Sequence, residues 1–495
     1  MSKDFRETDA IGLAVEYLNK KLRCNLSTEY YSHIREWRCW WENYVDSFHS
    51  YRELGVDGAP RKRELFRMGM AKRVTEDWAA LLLNEKTTIA IDDKASSEYL
   101  QGKEGEASMG GVLGACNFWA EGNELIEKAF AYGTGAFIAR ANGGKVDGNG
   151  KVVPDAECKP GIEYLDGLSI IPISVKESRI TEVAFVSQFT ERGKECIYLE
   201  THTKDENGNY VIENEYFILD GSQLKAAELP EGVAPKIETG SPLPWFALVY
   251  PNITNNIRCN NGLGMSVYAN AIDNLKGVDI AFNNFIRDFK LGGKKVFYNK
   301  AMLQTNTEGK TITPDDVTQQ LFQMVGDGMD FDAKQMAQEF NPSLRVAENK
   351  DGVQAQLDYL SFKCGMGTHR YQFESGGVKT ATEYTGERQE LVQHANRHMI
   401  VLEAAIKSIC AALLYIGKTF CGENVDPETA ITVRFEDSFV IDDETRRERD
   451  RMDVREGLMN AWEYRVKWYG ETREEAQAAL QGLQTAQANP FGFMG

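Results

Sequence analysis

Apolar residues at Val267, Ala271, Leu275, Val278, Phe282, Phe285 and Phe289 step by fours and threes, so a helix over 263–290 would carry one continuous apolar stripe. At 1.5 Å per residue such a helix is roughly 40 Å long. Its opposite face is amide and mixed charge: Asn270, Asp273, Asn274, Asn283, Asn284 and Arg287. Gly292 and Gly293 stop it, and Val296-Phe297-Tyr298 opens a β-like run. A longer pattern follows. Leu391, Ala395, Met399, Leu402, Ile406, Ile409, Leu413, Ile416 and Phe420 predict one helix over 379–420, roughly 60 Å long. The core helix of a large enzyme has the same periodicity, but helices beyond about 25 residues point towards a coiled coil, a repeat or an assembly. A further helix over 351–366 puts Val353, Leu357 and Leu360 on one face.

Elsewhere the pattern changes along the chain. Residues 1–130 read mainly helical, with a helix over 61–85 setting Phe66, Met70, Val74, Ala80 and Leu81 near one face. Trp37, Trp40 and Trp41 predict a packed contact with another element or subunit. Residues 131–250 are β-rich: Gly135–Arg140 and Tyr210-Val211-Ile212 are strand-like, and Asp147-Gly148-Asn149-Gly150 and Asn207-Gly208-Asn209 mark hairpins. The stretch 230–244 reads as a connecting loop. Thr313-Pro314-Asp315-Asp316 reads as a helix start, Asp327-Gly328-Met329-Asp330 as a turn, and 343–347 as a short strand. Ile431–Phe435 alternates like a strand, Asp442-Asp443-Glu444 opens a charged helix, and Ala488–Gly495 reads as a frayed end. The fold class is α+β, with several subdomains.

Charge narrows the function. Lys+Arg total 56 and Asp+Glu 74, a net charge of −18. A protein that grips DNA through its phosphates needs a basic surface. This balance argues against such a grip and suits an unremarkable soluble protein. Nine scattered cysteines without a CxxC pair read as reduced thiols, and the polar start MSKDFRETDA lacks a signal-peptide core. The longest apolar run, Ile409–Gly417, is short of a bilayer span, so no membrane partner is expected. His394 and His398 share a helix face, but Ala395 replaces the glutamate of an HExxH zinc motif. The expectation there is a polar face, at a subunit contact, and no metal. Gly262-Leu263-Gly264 and Gly292-Gly293-Lys294-Lys295 lack nucleotide-loop spacing, and no G-x-S-x-G elbow occurs. No catalytic residue and no cofactor is expected.

Five segments, in order, carry a resemblance: MAKRVTEDWAALLLNEKTTIAI (70–91), NELIEKAFAYGTGAFIAR (123–140), NAIDNLKGVDIAFNNFIRDFKLGGKKVF, VKTATEYTGERQEL (378–391) and FEDSFVIDDETRRERDRMDVREGLMNAWEYRVKWYGETREEA (435–476). Together with two long helices flanking a small module, they resemble the portal (head–tail connector) proteins of tailed bacteriophages, above all long-tailed phages of Gram-positive hosts. The resemblance implies a wing over 1–262, helical at first and β-rich over 131–250, and a first stem helix over 263–290. A clip over 291–347 and a second stem helix over 348–371 would follow. A tunnel loop over 372–380, a spine helix and wing strand over 381–440, and a crown with C-terminal tail over 441–495 would complete the chain. Ser375, Gly376, Gly377, Val378, Lys379 and Thr380 would line the channel. Lys276, Arg287, Lys290, Lys294, Lys295, Lys363 and Arg370 are the candidate channel-facing cations, with a solvated helix face or intersubunit ion pairs as their plainer reading.

The implied assembly is a non-enzymatic homo-oligomeric ring of about twelve subunits at one capsid vertex of the virion, made in the host cytoplasm. Double-stranded DNA would pass through it without sequence preference during packaging and ejection. Terminase, the major capsid and scaffolding proteins, and a head-completion or adaptor protein would be its partners. Two other classes accommodate the residues taken alone: a cytosolic enzyme with a site assembled from distant positions, and an oligomeric scaffold or adaptor without a DNA role.

Overall fold

A computed structural model describes residues 10–372, 381–435 and 443–480, apart from 55–57, 85, 104–109, 149, 156, 222, 300–303, 306–310, 313–320, 325–336, 470–472 and 474–475. The chain opens with α1 (Ala10–Leu22), α2 (Tyr31–Trp41) and α3 (Asp46–His49). A two-stranded antiparallel ribbon follows, β1 (Ser50–Leu54) and β2 (Pro60–Glu64). Next come α4 (Met70–Leu82), β3 (Thr88–Ile91), α5 (Lys94–Gln101), α6 (Gly111–Ala115) and α7 (Phe118–Tyr132).

The β-rich part holds β4 (Gly135–Asn142), β5 (Lys145–Val146), β6 (Val152–Val153), β7 (Lys159–Asp166), β8 (Ile170–Lys176), β9 (Arg179–Glu191), β10 (Lys194–Lys204), β11 (Tyr210–Asp220), β12 (Gln223–Ala227), β13 (Lys236–Glu238) and β14 (Phe246–Val249). The large sheet is an antiparallel meander in the order β12-β11-β10-β9-β8, with β13 added to β11; β14-β4-β7 forms a second sheet. Local chemistry fixes the β10–β11 turn. Asp205 Oδ1 accepts the backbone N–H groups of Asn207 and Asn209, and Gly208 takes a positive φ of 86°. The Asn207 and Asp147 hairpins both form as the sequence predicts.

The remaining elements are α8 (Ile272–Leu291), β15 (Lys295–Asn299), β16 (Gln304–Thr305), β17 (Thr311–Ile312), β18 (Leu321–Met324), β19 (Ala337–Phe340), α9 (Val346–Lys363), α10 (Ala381–Thr419), β20 (Ile431–Arg434), α11 (Asp443–Glu456) and α12 (Ala461–Tyr469). Strand β15 pairs parallel with β18 and antiparallel with β19, while β20 pairs with β3.

Helix α10 is the centre of the core. All nine predicted seam residues, Leu391 to Phe420, are buried against β4, β7, β14, α4 and α5. By length and composition alone Gln389–Thr419 is apolar enough to cross a membrane, which counting uninterrupted apolar residues missed. In this fold that apolar face is spent on the chain's own core.

Several local expectations need correction. The first long helix begins at Ile272, not 263, and its 20 residues make it about 30 Å long. Residues 263–268 are instead held in non-helical conformation by distant partners: the Tyr30 hydroxyl donates to Gly264 O, Thr134 Oγ1 accepts Gly264 N–H, and Phe130 O accepts Val267 N–H. The helix expected over 61–85 starts at Met70, because Pro60–Glu64 pairs with Ser50–Leu54; Phe66 and Ala80 are exposed, and Trp78, Ala79 and Leu82 are buried in their place. The strand expected at 343–347 lies at Ala337–Phe340, and α9 already begins at Val346. The loop 230–244 carries β13. Trp37 and Trp40 are buried within the chain, and Trp41 stands edge-on to Tyr132 and donates to Glu127, so these contacts are with elements of the same chain. The expectations at 313–316 and 327–330 lie outside the described residues.

Candidate functional site

Helices α8 and α9 form an antiparallel hairpin. Gly277 leaves room for Gln356, whose Oε1 lies 2.5 Å from where a Cβ would be. Farther out, Asp288 accepts from the Arg345 guanidinium at 2.8 Å, from Arg345 N–H at 3.3 Å and from Asn349 Nδ2 at 2.9 Å. The Arg345 side-chain hydrogen bond is the main reason the Asp288 carboxyl is held below the usual range.

The hairpin is buried at its base and bare towards its tip. Leu275 and Val278 of α8 and Val353, Leu357 and Leu360 of α9 are buried. Phe282 and Phe285 are half-buried, and Phe289, its ring 5.1 Å from that of Phe285, is 47% exposed. The stripe read from the sequence therefore runs past the end of the subunit's own cover.

A buried polar clasp fixes α8 to the N-terminal region. Asp279 Oδ1 accepts Met68 N–H at 2.7 Å, and its Oδ2 lies 3.0 Å from His49 Nε2. His49 Nδ1 accepts Val45 N–H, so the hydrogen-bond pattern assigns the ring proton to Nε2, which donates to Asp279. Nothing in the local sequence marked this pair, whose members are 230 residues apart.

The candidate cations fall into separate places. Lys276 pairs with Asp273 at 3.0 Å and Lys294 with Glu339 at 2.9 Å. Arg287 lies 3.7 Å from Glu53 on the ribbon, and the Lys290 ammonium stands 4.4 Å over the Phe66 ring. Arg370 is at the base, 3.7 Å from Asp77 on α4, and Lys363 is exposed in the last turn of α9. The fold thus gathers Arg287 and Lys290 beside the ribbon and leaves Arg370 and Lys363 at the hairpin's other end. Lys295 lies in β15, its side chain outside the described part, as are Ser375, Gly376, Gly377, Val378, Lys379 and Thr380. Exposed pairs of this kind contribute about 1 kcal/mol or less each.

The two histidines of α10 do not form a polar face. His398 is buried, edge-on to Trp78 and Phe130 at 4.8 and 4.9 Å, and its Nδ1 accepts Asn252 N–H. Burial, assisted by the charges of His394 and Arg397, pushes it down to about 3. The His394 ring lies over Gly365, whose φ of 76° suits glycine. Among the described residues no group of three or more His, Cys, Asp or Glu is placed to hold a metal.

One charged cluster escaped the sequence reading. Arg140 of β4 bonds Glu163 of β7 and the buried Glu200 of β10, whose other oxygen lies 2.5 Å from His202 Nε2. Burial, then the Arg140 charge, pushes His202 down to about 3. The cluster borders a cleft of about 380 Å³ that Tyr198, Asn214 and Trp245 also line. Acid and imidazole are locked by each other and by Arg140, so the arrangement ties two sheets together. Glu200 and His202, alternating in the middle of β10 where the strand is buried, were the available signal.

The profile of the family described as "Phage portal protein, SPP1 Gp6-like" matches residues 19–448. No curated protein matches the chain.

Proposed function

Since the chain belongs to the SPP1 Gp6-like phage portal family, a structural, non-enzymatic family of the virion capsid vertex, we propose that it forms the ring through which double-stranded DNA is packaged and later ejected. The observation that carries the ring is the α8–α9 hairpin, whose apolar stripe is covered at Leu275 and Val278 and bare at Phe289. An apolar surface left open by one subunit is closed by its neighbour, and cyclic closure leaves no unsatisfied end. In this reading α8 and α9 are the stem helices, β15–β19 belong to the clip, and α10 is the spine. The segment 372–380, between α9 and α10, is the tunnel loop, and α11 and α12 belong to the crown. The net charge of −18 keeps a ring of about twelve subunits repelling phosphate from every side, so DNA slides without sticking.

Packaging needs an ATPase, which the reading assigns to a separate terminase docked on the ring. The capsid and scaffolding proteins would hold its rim and an adaptor its outer end. The enzyme alternative falls with the family assignment. Negative-stain imaging and native mass measurement of the purified chain test the ring. Closed rings with a central hole are expected; monomer alone, across salt and concentration, would defeat the reading.

A further inference from the structure

The ribbon and α9 lie on opposite sides of α8. Asp279, Asn283, Arg287 and Lys290 meet the segment 49–68, through Met68, Phe66, Glu53 and the Phe66 ring. Gly277 and Asp288 meet α9. At 100° per residue the two sets are centred roughly 135° apart round the helix.

Both outer sides are uncovered, and they are chemically opposite. The ribbon exposes Arg52, Lys62 and Arg63, with Leu54 at 74% exposure. Its register sets Arg52 directly across from Lys62, a like-charge pair that weakens an isolated hairpin. The nearest carboxylate to Lys62 is that of Asp46, at 3.8 Å and itself exposed. In a chain of net charge −18, positions 50–67 hold five Lys and Arg against three Asp and Glu. The outer face of α9 exposes Glu348, Asp351, Ala355, Tyr359 and Phe362 at spacings of three and four, Tyr359 at 61% and Phe362 at 52%.

Height along the hairpin also agrees. Asp288 is level with Arg345 and Asn349, and Gly277 with Gln356. Glu348 and Asp351 therefore stand at the level of positions 283–288, where Asn283 and Arg287 receive the ribbon. Two different, complementary faces at equal height on opposite sides are what rotation about an axis along the hairpin brings together.

We propose that the basic ribbon of one copy docks on the acidic, aromatic face of α9 of the next, Arg52 and Lys62 meeting Glu348 and Asp351, and Leu54 covering the apolar strip beside them. This rests on the ring reading and names the contact that closes it. The occupant is a second copy of this chain, because the matching acidic face belongs to the chain itself. Such charges set register and encounter as much as affinity.

Charge reversal in the full chain tests the pairing, read by light scattering and negative stain. Arg52→Glu with Lys62→Glu, and separately Glu348→Lys with Asp351→Lys, should each raise the half-assembly concentration about tenfold or more. All four together should restore rings. Reversals on either side that leave assembly unchanged, or a fourfold variant that stays unassembled, would overturn the contact while rings of the unaltered chain keep the ring reading intact. Failure of the unaltered chain to form rings defeats both. If a reversal unfolds the chain, salt decides: raising it to about 1 M should weaken assembly of the unaltered protein, and indifference to salt overturns the pairing.

Discussion

His398 and His202 are imidazoles kept in environments that disfavour their charged form, the first buried among Trp78 and Phe130, the second buried and close to the Arg140 charge. Both are pushed down to about 3 from an ordinary value of 6.5. The sign follows from proton uptake: above pH 6.5 neither state is protonated and no stability is lost, whereas below it only the unfolded chain gains the proton. Stability therefore falls as the pH drops from 6.5 towards 3, by about 2 kcal/mol for each histidine at pH 5. Urea unfolding at pH 7 and pH 5 measures it. His398→Leu should remove about half of that pH dependence, although losing the Asn252 hydrogen bond lowers stability at pH 7. A variant with an unchanged pH slope would show that His398 titrates normally. Neither histidine was expected in a core: the i, i+4 spacing of His394 and His398 predicts a shared face but not what covers it.

At the scale of elements, two helices with similar apolar periodicity have different fates. The apolar seam of α10 is enclosed, with Leu402 and Ile406 buried inside one chain. The outer half of α8 is not, since Phe289 is 47% exposed. Ile406→Asp should therefore prevent folding itself, because an unpaired carboxylate in that core costs several kcal/mol, on the order of the whole stability of a domain. Phe289→Ser should leave the unfolding free energy within about 1 kcal/mol of its original value and weaken assembly. Soluble yield, urea midpoints and ring counts separate the two effects. Rings forming normally from the Phe289 variant would show that the stripe's outer half is not an intersubunit surface.

For the whole molecule, the proposed passage of DNA makes its own demand. The segment carrying Gly376 and Gly377 connects α9, which ends at Lys363, to α10, which begins at Ala381. Glycine reaches backbone conformations closed to other residues, so the proposed tunnel segment, with two of them, would be free to adjust as DNA moves. Gly376→Val with Gly377→Val should leave rings intact but cut DNA filling of procapsids, and Lys379→Glu should have a milder effect, since one screened charge per subunit is lost. Packaging assays with procapsids carrying each variant provide the check; normal filling by the double-valine particles would defeat the proposal that this segment lines the channel.

Residue order alone determined a great deal: the periodicity that becomes α10, the Asn207 and Asp147 turns, the one-faced stripe of α8, and five segments in the order of the portal family. These are legible because a helix or hairpin turn is decided by residues a few positions apart. Tertiary structure alone decided where α8 begins, since Gly264 packs against Gly133 so closely that a Cβ would lie 2.1 Å from Gly133 O. It alone set His49 on Asp279 and locked Arg140 between two carboxylates. Each depends on partners brought together only when the chain has folded, and periodicity reports that a face is buried without saying by what.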